Sequence, residues 1–351
     1  MKNTRPKNLP IFFLTFILLV AFVTGSHVYT LIFQQQSQTV TQTIINTNWL
    51  YGWNKRVKIT INHSDIGSNL SNFPVLVCLS NSSGQDNDDV TFVFDELQSD
   101  AHRKQIAITT SNGTTQCYVE IERWDTANEQ AWLWVKVPDI SSTIDTEFYL
   151  YFDRDTVDNT DYVGDINTIQ TEKVWDSNFL VVYHFEQAPN VTIYDSTSNN
   201  MDLGSYGSMS SSDLVDGIIG KAIHFDGYDD RLDSLKQITF EDFTFEAWGS
   251  ANSWSNWRTI IAPDGDARDF CTNAGKLTFW DGGEYTIGPI LSGTDWKYLV
   301  TYYNDAASVD RLRGFVDGGI TSQTANPSYS SLTAVVRIAA CLYGGSYVDF
   351  W

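Results

Sequence analysis

Gly217-Ile-Ile-Gly-Lys-Ala-Ile-His-Phe-Asp-Gly-Tyr-Asp-Asp-Arg231 is the stretch on which the reading of the fold turns. Gly220, Phe225, Asp226, Gly227 and Asp230 make a compact turn-and-strand signature within a glycine-rich half of the chain. His224 sits among apolar neighbours and reads as a strand histidine packed on a sheet, as does His184 in Val181-Val-Tyr-His-Phe185. The stretch reads as part of a β-sandwich, with no catalytic signature in it.

Outward from it, Asp195-Ser-Thr-Ser-Asn-Asn200 precedes and Phe243-Thr-Phe-Glu-Ala-Trp248 follows. Trp296-Lys-Tyr-Leu-Val-Thr-Tyr302 and Leu312-Arg-Gly-Phe-Val-Asp-Gly318 come later. In that order the set resembles the laminin-G-like members of the concanavalin A-like lectin and glucanase superfamily. The resemblance implies a jelly roll of two antiparallel sheets over residues 166–351, often with a calcium ion near the binding edge. Calcium takes six to eight hard oxygen ligands, drawn here from separate loops because no EF-hand loop is present. By resemblance the ligands are Asp195 and Asn200, then Asp226 and Asp230; the competing reading is that each caps a turn.

Ligand contact is expected at aromatic residues in loops. Trp254 and Trp257 in Ser253-Trp-Ser-Asn-Trp257, with Trp280 and Tyr285 around Asp281-Gly-Gly-Glu284, offer flat apolar faces beside polar groups. The alternative leaves Trp254 and Tyr285 open and places Trp257 and Trp280 in the core. Asp317-Gly318-Gly319 after a strand fits a tight reversal with positive φ. Leu342-Tyr-Gly-Gly-Ser-Tyr-Val-Asp-Phe-Trp351 resembles the approach to the last strands of a laminin-G-like domain. The closing strand expected after it is missing, so the sandwich is either incomplete, with an exposed edge, or closed by fewer strands.

Residues 49–165 also read as all-β. Lys55-Arg-Val-Lys-Ile-Thr-Ile61 and Gln116-Cys-Tyr-Val-Glu-Ile-Glu122 alternate at period two, so one face packs and the other meets water. Phe73-Pro-Val-Leu-Val-Cys-Leu79 and Ala131-Trp-Leu-Trp-Val-Lys-Val137 are denser in apolar residues, and Thr91-Phe-Val-Phe94 and Glu147-Phe-Tyr-Leu-Tyr-Phe152 supply two more strands. Short strands between Ser/Asn/Asp/Gly loops imply a second sandwich. Trp53, Arg56-Val-Lys-Ile, Phe73-Pro-Val-Leu-Val, Trp132-Leu-Trp-Val-Lys-Val-Pro138 and Phe148-Tyr-Leu-Tyr-Phe152 resemble an uncharacterised module that often precedes a laminin-G-like domain in prokaryotic surface proteins. That family has no settled activity, so no functional residue is carried over.

The chain carries 22 basic and 43 acidic residues among 351. A net charge of -21 argues against a nucleic-acid partner, which needs neutralising Lys and Arg. Lys2, Arg5 and Lys7 precede the apolar run Ile11–Val23, and no further charge appears until Lys55. This pattern keeps the start in the cytoplasm and sends the rest across a membrane. Residues 1–33 are expected as a transmembrane anchor, or as a secretory signal cleaved near Gly25, and residues 34–48 as a polar stalk.

Cys78, Cys117, Cys271 and Cys341 fall two to each half, which makes Cys78–Cys117 and Cys271–Cys341 the simplest disulfides in an oxidising space, with buried free thiols as the alternative. Acceptor sequons stand at Asn62, Asn69, Asn81, Asn112 and Asn190. Glu120 and Glu122 share a strand face, as a glycosidase pair could, but neither half carries the dense carboxylate cluster of the glucanase branch. The five histidines show no HExxH spacing.

The expectation is an all-β chain of two sandwiches behind an N-terminal transmembrane or signal helix. It is held on the cell surface with its bulk outside, or secreted. It binds an extracellular glycan or surface protein, with calcium, and performs no catalysis. A structural subunit of a cell envelope or filament is the alternative, and a glycoside hydrolase the third reading.

Overall fold

The computed structural model describes residues 13–15, 49–254, 257–263, 268–343 and 346–349. The expected stalk, and the N-terminal run apart from Phe13–Thr15, lie outside these residues. Phe13–Thr15 is extended rather than helical, pairing antiparallel with Ile223 on one side and with Trp248, Gly249 and Ser250 on the other. Among the described residues no helix is long and apolar enough to cross a membrane.

Strands are the main regular structure of both units into which the chain divides. One ends at Phe179 and takes in Asp195–Asn200; the other holds Leu180–Tyr194 and Met201–Trp351. In the first, Arg56–Ile61, Thr146–Phe152, Ile106–Thr110 and Gln116–Cys117 lie side by side in one sheet. Leu70–Leu79, Gln130–Ile140, Val119–Asp125 and Val163–Asp165 make the other, the last pair parallel. Alternation assigns the faces: Ala131, Leu133, Val135 and Val137 enter the shared core, while Trp132, Trp134 and Lys136 point away from it. Val57, Ile59, Ile108, Phe148 and Leu150 meet them from the opposite sheet. Each fully buried side chain of this kind contributes about 1.5–3 kcal/mol of transfer free energy.

One expected strand is a helix. Thr91-Phe-Val-Phe94 belongs to the turn and helix of Phe92–Leu97, where Val90, Val93, Phe94 and Leu97 are buried together. Their spacing of three, four and seven is the helical period, which a four-residue window conceals. Asp89 accepts bonds from the Thr91 amide and hydroxyl at the helix entrance, and Gln98, at φ 62°, ends the helix in the left-handed region.

The second unit is built on two seven-stranded antiparallel sheets. The first runs Leu214–Asp216, Lys221–Ile223, Phe13–Thr15, Phe243–Ser250, Lys297–Tyr303, Leu312–Val316, Gly319–Ala325. The second runs Leu203–Tyr206, Arg231–Ser234, Val336–Ile338, Arg258–Pro263, Asp269–Asn273, Lys276–Trp280, Glu284–Ile290. Phe243, Phe245, Leu299, Tyr303 and Leu312 from the first sheet share a core with Ile261, Phe270, Leu277 and Phe279 from the second. Asp317 and Gly318, at φ 51° and 72°, make the expected two-residue reversal. Gly314 is required by close approach: a Cβ there would lie 2.9 Å from the Ile287 carbonyl oxygen and from Leu277.

Trp175–Phe185, whose apolar residues read as a strand leading into the second sandwich, enters no sheet, so His184 is buried but stands in no strand. Its residues divide between the two units after Phe179, and Phe185 takes a φ of 54°. Ala340–Tyr343 and Ser346–Asp349 pair antiparallel in a separate two-stranded sheet among the described residues.

Candidate functional site

The four aromatic residues expected to meet a ligand do not form one surface. Trp254 is 3% exposed, belongs to the core, and donates its indole N–H to the Gly293 carbonyl at 3.1 Å. Its place is set by Ala251 and Leu291, which share that core, so it cannot serve as a loop platform. Tyr285 is half-buried and packs on the same core. Trp257 and Trp280 are half-buried and meet edge to face, ring centres 5.6 Å apart. Trp280 stands opposite Asp269 and Glu284 in register. The reading that buried Trp257 and Trp280 and left Trp254 open is thus reversed.

The four expected calcium ligands also separate. Asp195 and Asn200 fall in the unit that ends at Phe179, whereas Asp226 and Asp230 fall in the other. Asp195 is buried and accepts from the Thr197 amide at 3.0 Å and hydroxyl at 2.8 Å, an Asx turn. The Asn200 side-chain amide donates to the Ser198 carbonyl at 2.9 Å. The group that does converge is Asp226, Asp229 and Asp230, one carboxylate oxygen from each lying within 4.8 Å of the others. Asp226 Oδ1 accepts from the Tyr228 amide, and Asp230 Oδ2 from the Asp226 amide. Asp230 is 4% exposed; burial pushes its carboxyl up to about 6, with Asp226, Asp213 and Asp229 adding and the Asp226 amide opposing. Three hard oxygens in one turn fit a calcium ion by donor type, and the ion's charge would offset their repulsion.

The paired carboxylates of the other unit hold structure in place. Glu120 is fully buried and accepts from the Trp175 indole and the Ser196 hydroxyl, both at 2.6 Å. Glu122 is 4% exposed and accepts from the Trp134 indole at 2.6 Å, and the Trp134 and Trp175 rings lie 5.2 Å apart. These bonds fasten the segment after the parallel strand to the outer face of the sheet.

Cys78 and Cys117 are free thiols rather than a disulfide. Cys117 enters the core, whereas Cys78 alternates with the core residues Val77 and Leu79 and so lies on the opposite face of its sheet. Burial pushes Cys78 up to about 12, the nearby Glu122 adding to it, and burial alone does the same for Cys117, leaving neither reactive. Cys271 is buried, its thiol directed at the Thr278 carbonyl at 3.5 Å, and the Cys341 side chain lies outside the described residues, so the expected Cys271–Cys341 pairing lies outside them too. Of the sequon asparagines, Asn69, Asn81, Asn112 and Asn190 are exposed, whereas Asn62 is half-buried and caps the turn at Ser64.

Glu246, which with Glu241 and Asp242 does not reproduce the carboxylate cluster of the glucanase branch, is the remaining polar feature of note. Glu246 lies on the face of Phe243–Ser250 that points away from the core and accepts the Tyr298 hydroxyl. Burial pushes its carboxyl up to about 7, the Tyr298 bond opposing. Period two in Phe243-Thr-Phe-Glu-Ala-Trp248 marks Phe243, Phe245 and Ala247 as core positions and puts Glu246 on the opposite face. No protein-family model, no curated protein and no solved structure matches the chain.

Proposed function

We propose that this chain is a non-catalytic recognition protein of the cell surface, its second unit a laminin-G-like sandwich that binds a glycan or neighbouring surface protein with calcium at Asp226, Asp229 and Asp230. The convergence of those three carboxylates in one turn is the observation that carries the reading. Asp230 is nearly buried, so a divalent ion there would replace unfavourable carboxylate repulsion with coordination and stiffen the turn. The absence of catalysis rests on the buried acids: Glu120 and Glu122 accept indole N–H groups and lie closed to substrate. The basic start and the apolar run Ile11–Val23 support export, either anchored or secreted.

Calorimetric titration of calcium into the metal-free protein, with thermal unfolding followed in parallel, tests this. Saturable binding and a higher unfolding temperature are expected, since a ligand selective for the native state stabilises it. Asp230→Asn is expected to weaken binding roughly tenfold by removing one charged ligand. A folded protein whose unfolding is unmoved by millimolar calcium would overturn the calcium site.

A further inference from the structure

In the first unit, residues 141–145 carry the chain from Gln130–Ile140, in one sheet, to Thr146–Phe152, in the other. Side chains hold this crossover in one form. Asn69 Oδ1 accepts from the Ser142 amide at 2.9 Å and from its hydroxyl at 3.0 Å, and Thr146 Oγ1 accepts from the Ser141 amide at 3.0 Å. Ser141 Oγ accepts from the Thr143 and Ile144 amides at 3.1 and 3.2 Å. Between this loop, the start of Leu70–Leu79 and the end of Ile106–Thr110, the sheets leave a cleft of about 560 Å³. That volume lies within the range of small-molecule sites.

The cleft joins an apolar floor to an acidic rim. Cys117, Val137, Ile140 and Phe148, all members of the shared core, close the floor. Leu70, Pro138 and Ile144 carry apolar surface up to the mouth, where Ile144 is 68% exposed. Asp139, Asp145 and Glu147 supply the charge, and no Lys or Arg lines the cleft. Glu147 is paired with Lys58 and Asp145 with His63, each at 2.7 Å, whereas the exposed Asp139 stands in no ion pair among the described residues. Bonds from the His63 ring and backbone N–H hold the Asp145 carboxyl below its usual range, so the rim stays negative at neutral pH.

An anion is repelled by this rim, and a neutral apolar molecule gains nothing from Asp139. A cation on an apolar body meets both surfaces, and a chain of net charge -21 favours its approach. The loop amides are already bonded, so little ordering opposes binding. We propose that this cleft binds a small organic cation, an ammonium group on an aromatic or aliphatic body, with the body against Leu70 and Ile144 and the ammonium at the rim carboxylates, Asp139 first. The site belongs to the first unit, and its failure would leave the recognition reading above untouched.

The test is titration of tryptamine, its neutral counterpart tryptophol and its anionic counterpart indole-3-propionate into the full chain, followed by ligand-observed NMR. The protein is made without glycosylation, since Asn69 stands in the cleft wall. Tryptamine is expected to bind roughly fivefold tighter than tryptophol, the upper end for a partly exposed ion pair, and indole-3-propionate not to bind. Asp139→Asn, which keeps the shape, should bring tryptamine down to the level of tryptophol and leave tryptophol unchanged. Ile144→Ala should weaken both alike, and Asp230→Asn, in the calcium turn, should weaken neither. Asp139 and Ile144 are exposed, so both variants should fold, and thermal unfolding verifies it. Equal affinity for tryptamine and indole-3-propionate would overturn the proposal. So would tryptamine binding that ignores both cleft variants, or no binding of millimolar tryptamine by the folded wild-type chain.

Discussion

Glu246 and Asp230 are carboxyls that folding makes harder to ionise, and the pH dependence of stability follows from that. Unfolded, they ionise near 4.5 and 3.8; folded, near 7 and 6. Between those limits the native state holds protons that the unfolded chain has released, so stability falls as pH rises. The contribution from Glu246 is complete below about 4.5 and is lost through about 7; that from Asp230 is lost through about 6. Glu246→Gln keeps an acceptor for the Tyr298 hydroxyl and cannot ionise. It is expected to flatten the decline between pH 6 and 8 and to exceed wild type in stability at pH 8. Urea unfolding at pH 5, 6.5 and 8 measures this, and an unaltered decline in the variant would count against it. The acidic turn around Asp226 was legible in the sequence because Asp and Gly cluster there. The burial of Trp254 was not, since an indole in a Ser/Asn loop looks the same whether its N–H meets water or the Gly293 carbonyl.

At the scale of elements, strands announced themselves where alternation ran for five residues or more. The alternating run Lys55–Ile61 folds as the strand Arg56–Ile61, and the start of Leu312-Arg-Gly-Phe-Val-Asp-Gly318 as the strand Leu312–Val316. Short apolar runs were ambiguous, and Thr91–Phe94 went to a helix because Leu97, beyond the window read, completes a helical stripe with Val90, Val93 and Phe94. Trp175–Phe185 failed for another reason: its apolar residues are divided between two cores, which composition cannot reveal. The helix is small but its stripe is fully enclosed. Phe94 packs on Trp124 with ring centres 5.0 Å apart and is 2% exposed. Phe94→Ala is therefore expected to cost about 3–5 kcal/mol, the range for a large aromatic removed from a core. Replacing exposed Asp95 on the same helix by Ala should change stability by less than about 0.5 kcal/mol. Paired denaturation curves check both, and similar losses in the two variants would show that the stripe is not the helix's anchor.

Over the whole molecule, membership of the two units departs from order along the chain: Phe13–Thr15, ahead of the first unit, pairs in a sheet of the second, and a later segment crosses the other way. Asp195–Asn200 follows the Leu180–Tyr194 stretch of the second unit yet belongs to the first. Charge and polarity hid this, because Asp195-Ser-Thr-Ser-Asn-Asn200 reads as a loop whichever core it serves. The contact that matters is one hydroxyl. Ser196 is fully buried and donates to Glu120, itself fully buried beneath Trp175. Removing that donor takes one hydrogen bond from a buried carboxylate, a loss of about 1–3 kcal/mol. Ser196→Ala is thus expected to lower protection from hydrogen exchange along Val119–Asp125 and Gln130–Ile140, the strands that carry Glu120 and Trp134. Phe243–Ser250 and Lys297–Tyr303, in the other unit, should keep wild-type protection. Exchange that accelerates in those two strands, and not around Glu120, would assign Ser196 to the second sandwich by energy, whatever its geometry.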